Sequence, residues 1–102
     1  MRTAYYISDG TAITAEVFGH ALLSLFTIEF KHITVPFVET AEQAEDVVRK
    51  ISESFQDDEQ RPLVFYTIVN IEVRKIVSKS VGINYNFLDQ FVAPLEKVLG
   101  VP

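Results

Sequence analysis

With 102 residues, the chain has material for one small domain. Its residues are 48% apolar and its formal net charge is −5, a globular composition whose acidic balance argues against a duplex nucleic-acid binder. Cysteine is absent, which removes disulfides and thiolate chemistry, and no apolar run is long enough for a bilayer span or a secretory signal. A cytoplasmic protein with no membrane and no nucleic-acid partner is the expectation.

Thr3 to Ile7 is β-branched or aromatic almost throughout, the composition of a strand covered on both faces. Ser8-Asp9-Gly10 then makes a polar turn, and a helix is expected from about Thr11 to Phe26. Ile13, Val17, Ala21 and Leu25 recur every four residues, with Phe18, Leu22 and Phe26 beside them, and predict the stripe that packs on a sheet. The second strand, Ile28 to Val35, contains Glu29, Lys31 and His32 and so suits an edge; Pro36 closes it. Thr40 and Gln43 fit a capping box that opens a second helix, with Ala44, Val47, Val48, Ile51 and Phe55 on its apolar side. Gln56 to Gln60 is expected to be a solvated acidic loop.

Pro62 to Val69 is the most hydrophobic run and predicts a central parallel strand. Asn70 is the expected N-cap of a third helix, Val73, Ile76 and Val77 its buried face, and Gly82 its C′ residue. A short fourth strand runs from Ile83 to Leu88. A fourth helix starts at Asp89 or Gln90, buries Phe91, Val92, Leu95, Val98 and Leu99, carries Pro94 in its first turn and ends at Gly100.

This β-α-β-α-β-α-β-α pattern defines an α/β fold: three αβα layers around a four-stranded parallel sheet with right-handed crossovers. Placing the polar strand at the edge gives the order 2-1-3-4, a Rossmann-like or flavodoxin-like arrangement. Its switch point lies between the first and third strands, so the turns after them, Ser8–Thr11 and Thr67–Asn70, flank one crevice. There Ser8, Asp9, Gly10, Thr11 and Thr14 are the candidate binding residues, with Thr67 and Asn70 across the crevice. The free amides of the helix start and the threonine hydroxyls favour a phosphate or carboxylate. Equally, Ser8 or Asp9 caps the helix, and the charge of Asp9 opposes an anion. Glu16, one turn in, complements the helix dipole. No Walker loop and no G-x-G-x-x-G occur, and no catalytic residue and no metal ligand set can be nominated; His20 and His32 have no partner at metal-ligand spacing. Arg74, Lys75 and Lys79 are expected on one solvated face of the third helix.

Tyr6-Ile7-Ser8-Asp9-Gly10-Thr11-Ala12-Ile13-Thr14-Ala15-Glu16 closely resembles the N-terminal end of the phosphoenolpyruvate synthase regulatory protein family. Ile33–Glu39, Arg61–Tyr66 and Val92–Leu95 resemble the same family in the same order. The resemblance implies a bifunctional regulator that phosphorylates a threonine of a dikinase-type enzyme with ADP and removes the phosphate with inorganic phosphate, releasing pyrophosphate. It also implies a chain more than twice this length, whose P-loop lies in the later half. This chain would then be the N-terminal domain, ending near Gly100-Val101-Pro102. It would hold no cofactor, be inactive alone, and have phosphoenolpyruvate synthase and its own P-loop domain as partners. Ser8, Asp9, Gly10, Thr11, Thr14 and Glu16 are the residues the resemblance nominates for substrate, phosphate or target binding. The alternative is a non-catalytic interaction or homodimerisation module working through exposed helix faces.

Overall fold

The computed structural model describes residues Met1–Pro102. Strands β1 (Arg2–Ser8), β2 (Phe30–Val35), β3 (Leu63–Thr67) and β4 (Ile83–Asn86) alternate with helices α1 (Ile13–Leu23), α2 (Ala41–Asp58), α3 (Ile71–Val77) and α4 (Ala93–Leu99). The sheet is wholly parallel in the expected order β2-β1-β3-β4. β1 pairs on both sides, Tyr5 lying opposite Ile33 and Val64, and residues 3 to 8 are all buried.

The pleat divides the core in two. Tyr5, Ile7, Val64 and Tyr66 face one way and pack with Ala44, Val47 and Ile51 of α2 and Val73 and Val77 of α3. Ala4, Tyr6 and Phe65 face the other way and pack with Ala15 and Leu23 of α1 and with Phe87. Local chemistry fixes the entries to α2 and α3. Thr40 accepts from the Gln43 amide at 3.1 Å while Gln43 accepts from the Thr40 amide, the reciprocal capping box. Asn70 Oδ1 caps α3 by accepting from the Val73 amide at 3.1 Å.

Several expectations are corrected. α1 is shorter than Thr11–Phe26 and is rotated: its buried residues are Ala15, Gly19 and Leu23, while Ile13, Val17 and Leu25 are exposed. The two rows are offset by two residues, roughly 200° around the helix. The small residues face inward because they let α1 lie directly on the Tyr6 ring; a Cβ on Gly19 would come within 2.3 Å of Tyr6 Cε1. α2 continues to Asp58 rather than stopping at Phe55, because the Thr3 hydroxyl donates to Asp58 at 2.8 Å and anchors the extra turn. Part of the expected acidic loop is therefore helix, and Phe55 is exposed.

Gly82 is not the C′ residue of α3, which is capped at Ser78. It stands at the entrance to β4, where a Cβ would meet Val64 Cγ2 at 2.5 Å. β4 stops at Asn86, whose Oδ1 accepts from the Leu88 and Asp89 amides at 3.0 and 3.4 Å and turns the chain. A π-helical turn, Leu88–Val92, follows, with the Ala93 amide bonded back to the Leu88 carbonyl. Pro94 has no amide to give to the preceding turn, which favours this widened geometry. The expected buried face of α4 is open: Leu95, Val98 and Leu99 are all exposed.

Candidate functional site

The turns after β1 and β3 meet at the carboxyl end of the sheet, as the strand order requires. They enclose a cleft of about 310 Å³ whose walls include Ser8, Asp9, Gly10, Thr11, Thr14 and Thr67. Leu88, at the start of the π-helical turn, closes one side. Two nominated residues stand apart from these walls. Asn70 is occupied with capping α3, and Glu16 accepts from the Thr34 hydroxyl at 2.7 Å, toward the β2 edge.

The corner is wired by its own side chains. Ser8 Oγ donates to the Thr67 carbonyl at 2.9 Å and accepts from the Gly10 amide at 3.0 Å. Asp9 Oδ2 accepts from the Val69 and Asn70 amides at 2.9 and 2.8 Å. The carbonyls of Ser8 and Gly10 accept from the Val38 and Phe37 amides at 3.0 and 2.8 Å. Three segments are thus tied together around one turn. Neither Ser8 nor Asp9 caps α1, correcting that expectation; the N-cap is Ala12, with no side-chain cap. The reason is distance along the chain: the helix begins at Ile13, too far from either side chain for an N-cap bond to N2 or N3.

This wiring decides what the corner offers. The Gly10 amide is spent on Ser8, and the Asp9 carboxylate is spent on two amides of the opposite turn. The amides of Thr14 and Ala15 in the first turn of α1 have no partner within the chain, and the Thr14 hydroxyl is exposed beside them. The Thr11 hydroxyl accepts weakly from the Ile13 amide at 3.4 Å. Ala12 takes a left-handed conformation at φ 67°, uncommon for a residue with a Cβ and found here on the cleft wall. Donors without partners at a helix start suit an anionic group.

A second cluster escaped the sequence, where its members are far apart. Tyr6, His20 and His32 stack together, the two imidazoles with centroids 4.0 Å apart. The Tyr6 hydroxyl bonds His32 Nδ1 at 2.7 Å. Burial, reinforced by the Glu16 carboxylate, pushes Tyr6 up to about 12, so the phenol keeps its proton. Burial, and then His20, holds His32 below the ordinary imidazole value. No three His, Cys, Asp or Glu side chains converge to hold a metal ion. The expected basic face does not form on α3 alone, since the helix ends at Val77, before Lys79.

A wholly parallel four-stranded sheet in the order β2-β1-β3-β4, flanked by helices, defines an α/β domain of the Rossmann-like class. Within that class, the chain belongs to the kinase/pyrophosphorylase family, whose model matches residues 4–102. It is 90% identical over its whole length to a protein of Pseudoalteromonas atlantica named "Putative phosphoenolpyruvate synthase regulatory protein". Proteins of the same name from Alteromonas mediterranea and Shewanella pealeana are 81% and 58% identical over 100% and 99% of the chain. The chain spans only 38%, 38% and 37% of the length of these three relatives. No helix is long and apolar enough to cross a membrane.

Proposed function

We propose that this chain is the N-terminal, phosphate- and target-facing domain of a cytoplasmic regulator of phosphoenolpyruvate synthase. The whole protein transfers phosphate from ADP to a threonine of the synthase. It removes that phosphate with inorganic phosphate, releasing pyrophosphate. The family match over residues 4–102 is the observation that carries this reading; the relatives' name supplies the target.

The domain's own part follows from its corner. Phosphoryl transfer depends on positioning and charge stabilisation of the phosphates. This chain has no Walker pattern, so the nucleotide is held by the P-loop domain of the longer protein and the isolated chain is inactive. The Thr14 amide, with the Thr11 and Thr14 hydroxyls, holds an anionic group: inorganic phosphate, or the phosphothreonine of the target. Asp9 and Ser8 keep the corner in shape.

Thr11→Ala combined with Thr14→Ala in the full-length protein tests this. Two hydrogen bonds to a charged group are removed, so KM for phosphate in phosphorolysis should rise at least about tenfold. The circular dichroism spectrum should stay the same. Unchanged kinase and phosphorolysis rates would remove the corner from the mechanism.

A further inference from the structure

We propose that the outer side of α1 and α4, with the groove between α1 and β4, is where the rest of the full-length polypeptide packs. The inference rests on the reading of this chain as one domain of a longer regulator. Three observations carry it.

First, α1 is apolar on both sides. Its inner row seats on Tyr6, and its outer row still presents Ile13 and Val17 at 64% exposure each, followed by Leu25 at 77%. A helix that is hydrophobic all round belongs in an interior. Second, the same side of the sheet is open beyond α1. A groove of about 490 Å³, walled chiefly by Leu22, Phe26, Phe65, Phe87 and Phe91, runs along it. α4 leads away from the turn that bears Phe91 and leaves Leu95 and Val98 at 56% and 82% exposure. Third, the opposite layer is more fully covered, with Phe55 of α2 and Ile71 of α3 its exposed large apolar side chains. There α2 turns Glu42, Glu45, Arg49, Lys50 and Glu53 to water and buries Ala44, Val47 and Ile51. A small domain rarely leaves so large an apolar surface on one side alone.

The occupant is set by length. The chain is 38% of its Pseudoalteromonas relative, so most of that polypeptide lies outside the described residues. A tethered domain reaches this surface at a high effective concentration, which a second copy lacks.

The test places single cysteines at Val17, Val98 and, as a control on the charged face of α2, Glu45. All three side chains are exposed and none lies in the corner wiring. N-ethylmaleimide labelling is followed by peptide mass spectrometry in the 102-residue chain and in the full-length protein. Val17→Cys and Val98→Cys should label at least about tenfold more slowly in the full-length protein, while Glu45→Cys labels equally in both. Hydrogen exchange of α1 in the unsubstituted proteins gives the same comparison without variants. Equal labelling and equal exchange in the two proteins would overturn the inference. So would protection already present in the short chain together with a doubled mass by light scattering, which assigns the surface to a second copy. Protection in a full-length protein without kinase or phosphorolysis activity would support the interface and sink the functional reading.

Discussion

Asp9 puts a negative charge beside a cleft suited to anions, and its hydrogen bonds resolve the conflict. Both the Val69 and Asn70 amides point at one carboxylate oxygen, so the charge is held by the opposite turn. The free donors belong to the next residues along, at the start of α1. At the same scale, Tyr6, His20 and His32 form a stacked cluster. His32 is held below its usual value of 6.5 by burial and by His20. The sign follows from which state takes the proton first. Well above 6.5 the ring is neutral in folded and unfolded chains alike, and the shift has no effect. As pH falls through 6.5 the unfolded ring protonates before the folded one, so stability drops until the folded ring also titrates. His32 is largely exposed, so the effect is small. Tm measured from about pH 7.5 to 5 should decline more steeply for the natural chain than for His32→Gln. Parallel profiles would show that the cluster does not couple to folding.

At the scale of elements, α1 shows how close packing overrides pattern. Alanine is the better helix former than glycine by about 1 kcal/mol, so propensity alone favours Gly19→Ala. The Tyr6 ring opposes it: the new methyl would lie 2.3 Å from Cε1 and 2.7 Å from Cδ1. Overpacking of that kind typically costs about 1–3 kcal/mol. Gly19→Ala should therefore lower stability in urea denaturation despite its better propensity, and a stabilised variant would mean that α1 does not seat on Tyr6. The contrast with α2 is instructive. Its charged and apolar residues segregate, and of the expected row Ala44, Val47 and Ile51 are buried, while Val48 is half-buried and Phe55 is exposed.

At the scale of the whole molecule, the two cores share β1 and β3, because alternate side chains of each strand enter opposite layers. Neither layer survives loss of the sheet. Unfolding should therefore be a single transition, with midpoints agreeing between far-ultraviolet circular dichroism and the near-ultraviolet signal of Tyr5 and Tyr6, which sit in different layers. Two separated midpoints would show that the layers melt independently. The layers are nonetheless unequal: one is closed by two helices, the other only partly covered by α1.

What the sequence determined by itself was whatever depends on neighbours in the chain. The strand–helix alternation, the capping box at Thr40 and Gln43, the Asn70 cap and the edge position of the polar strand are each encoded within a few residues. So is the placing of the β1 and β3 turns at one crevice, once the strand order is known. The tertiary structure alone decided the rest. Periodicity identified α1 as a helix but not its rotation, because both sides are apolar and only the approach to Tyr6 discriminates. Asp9 joins amides 60 and 61 positions away, and Tyr6 joins His32 across 26. Such partners are chosen by register between elements, which no local pattern carries.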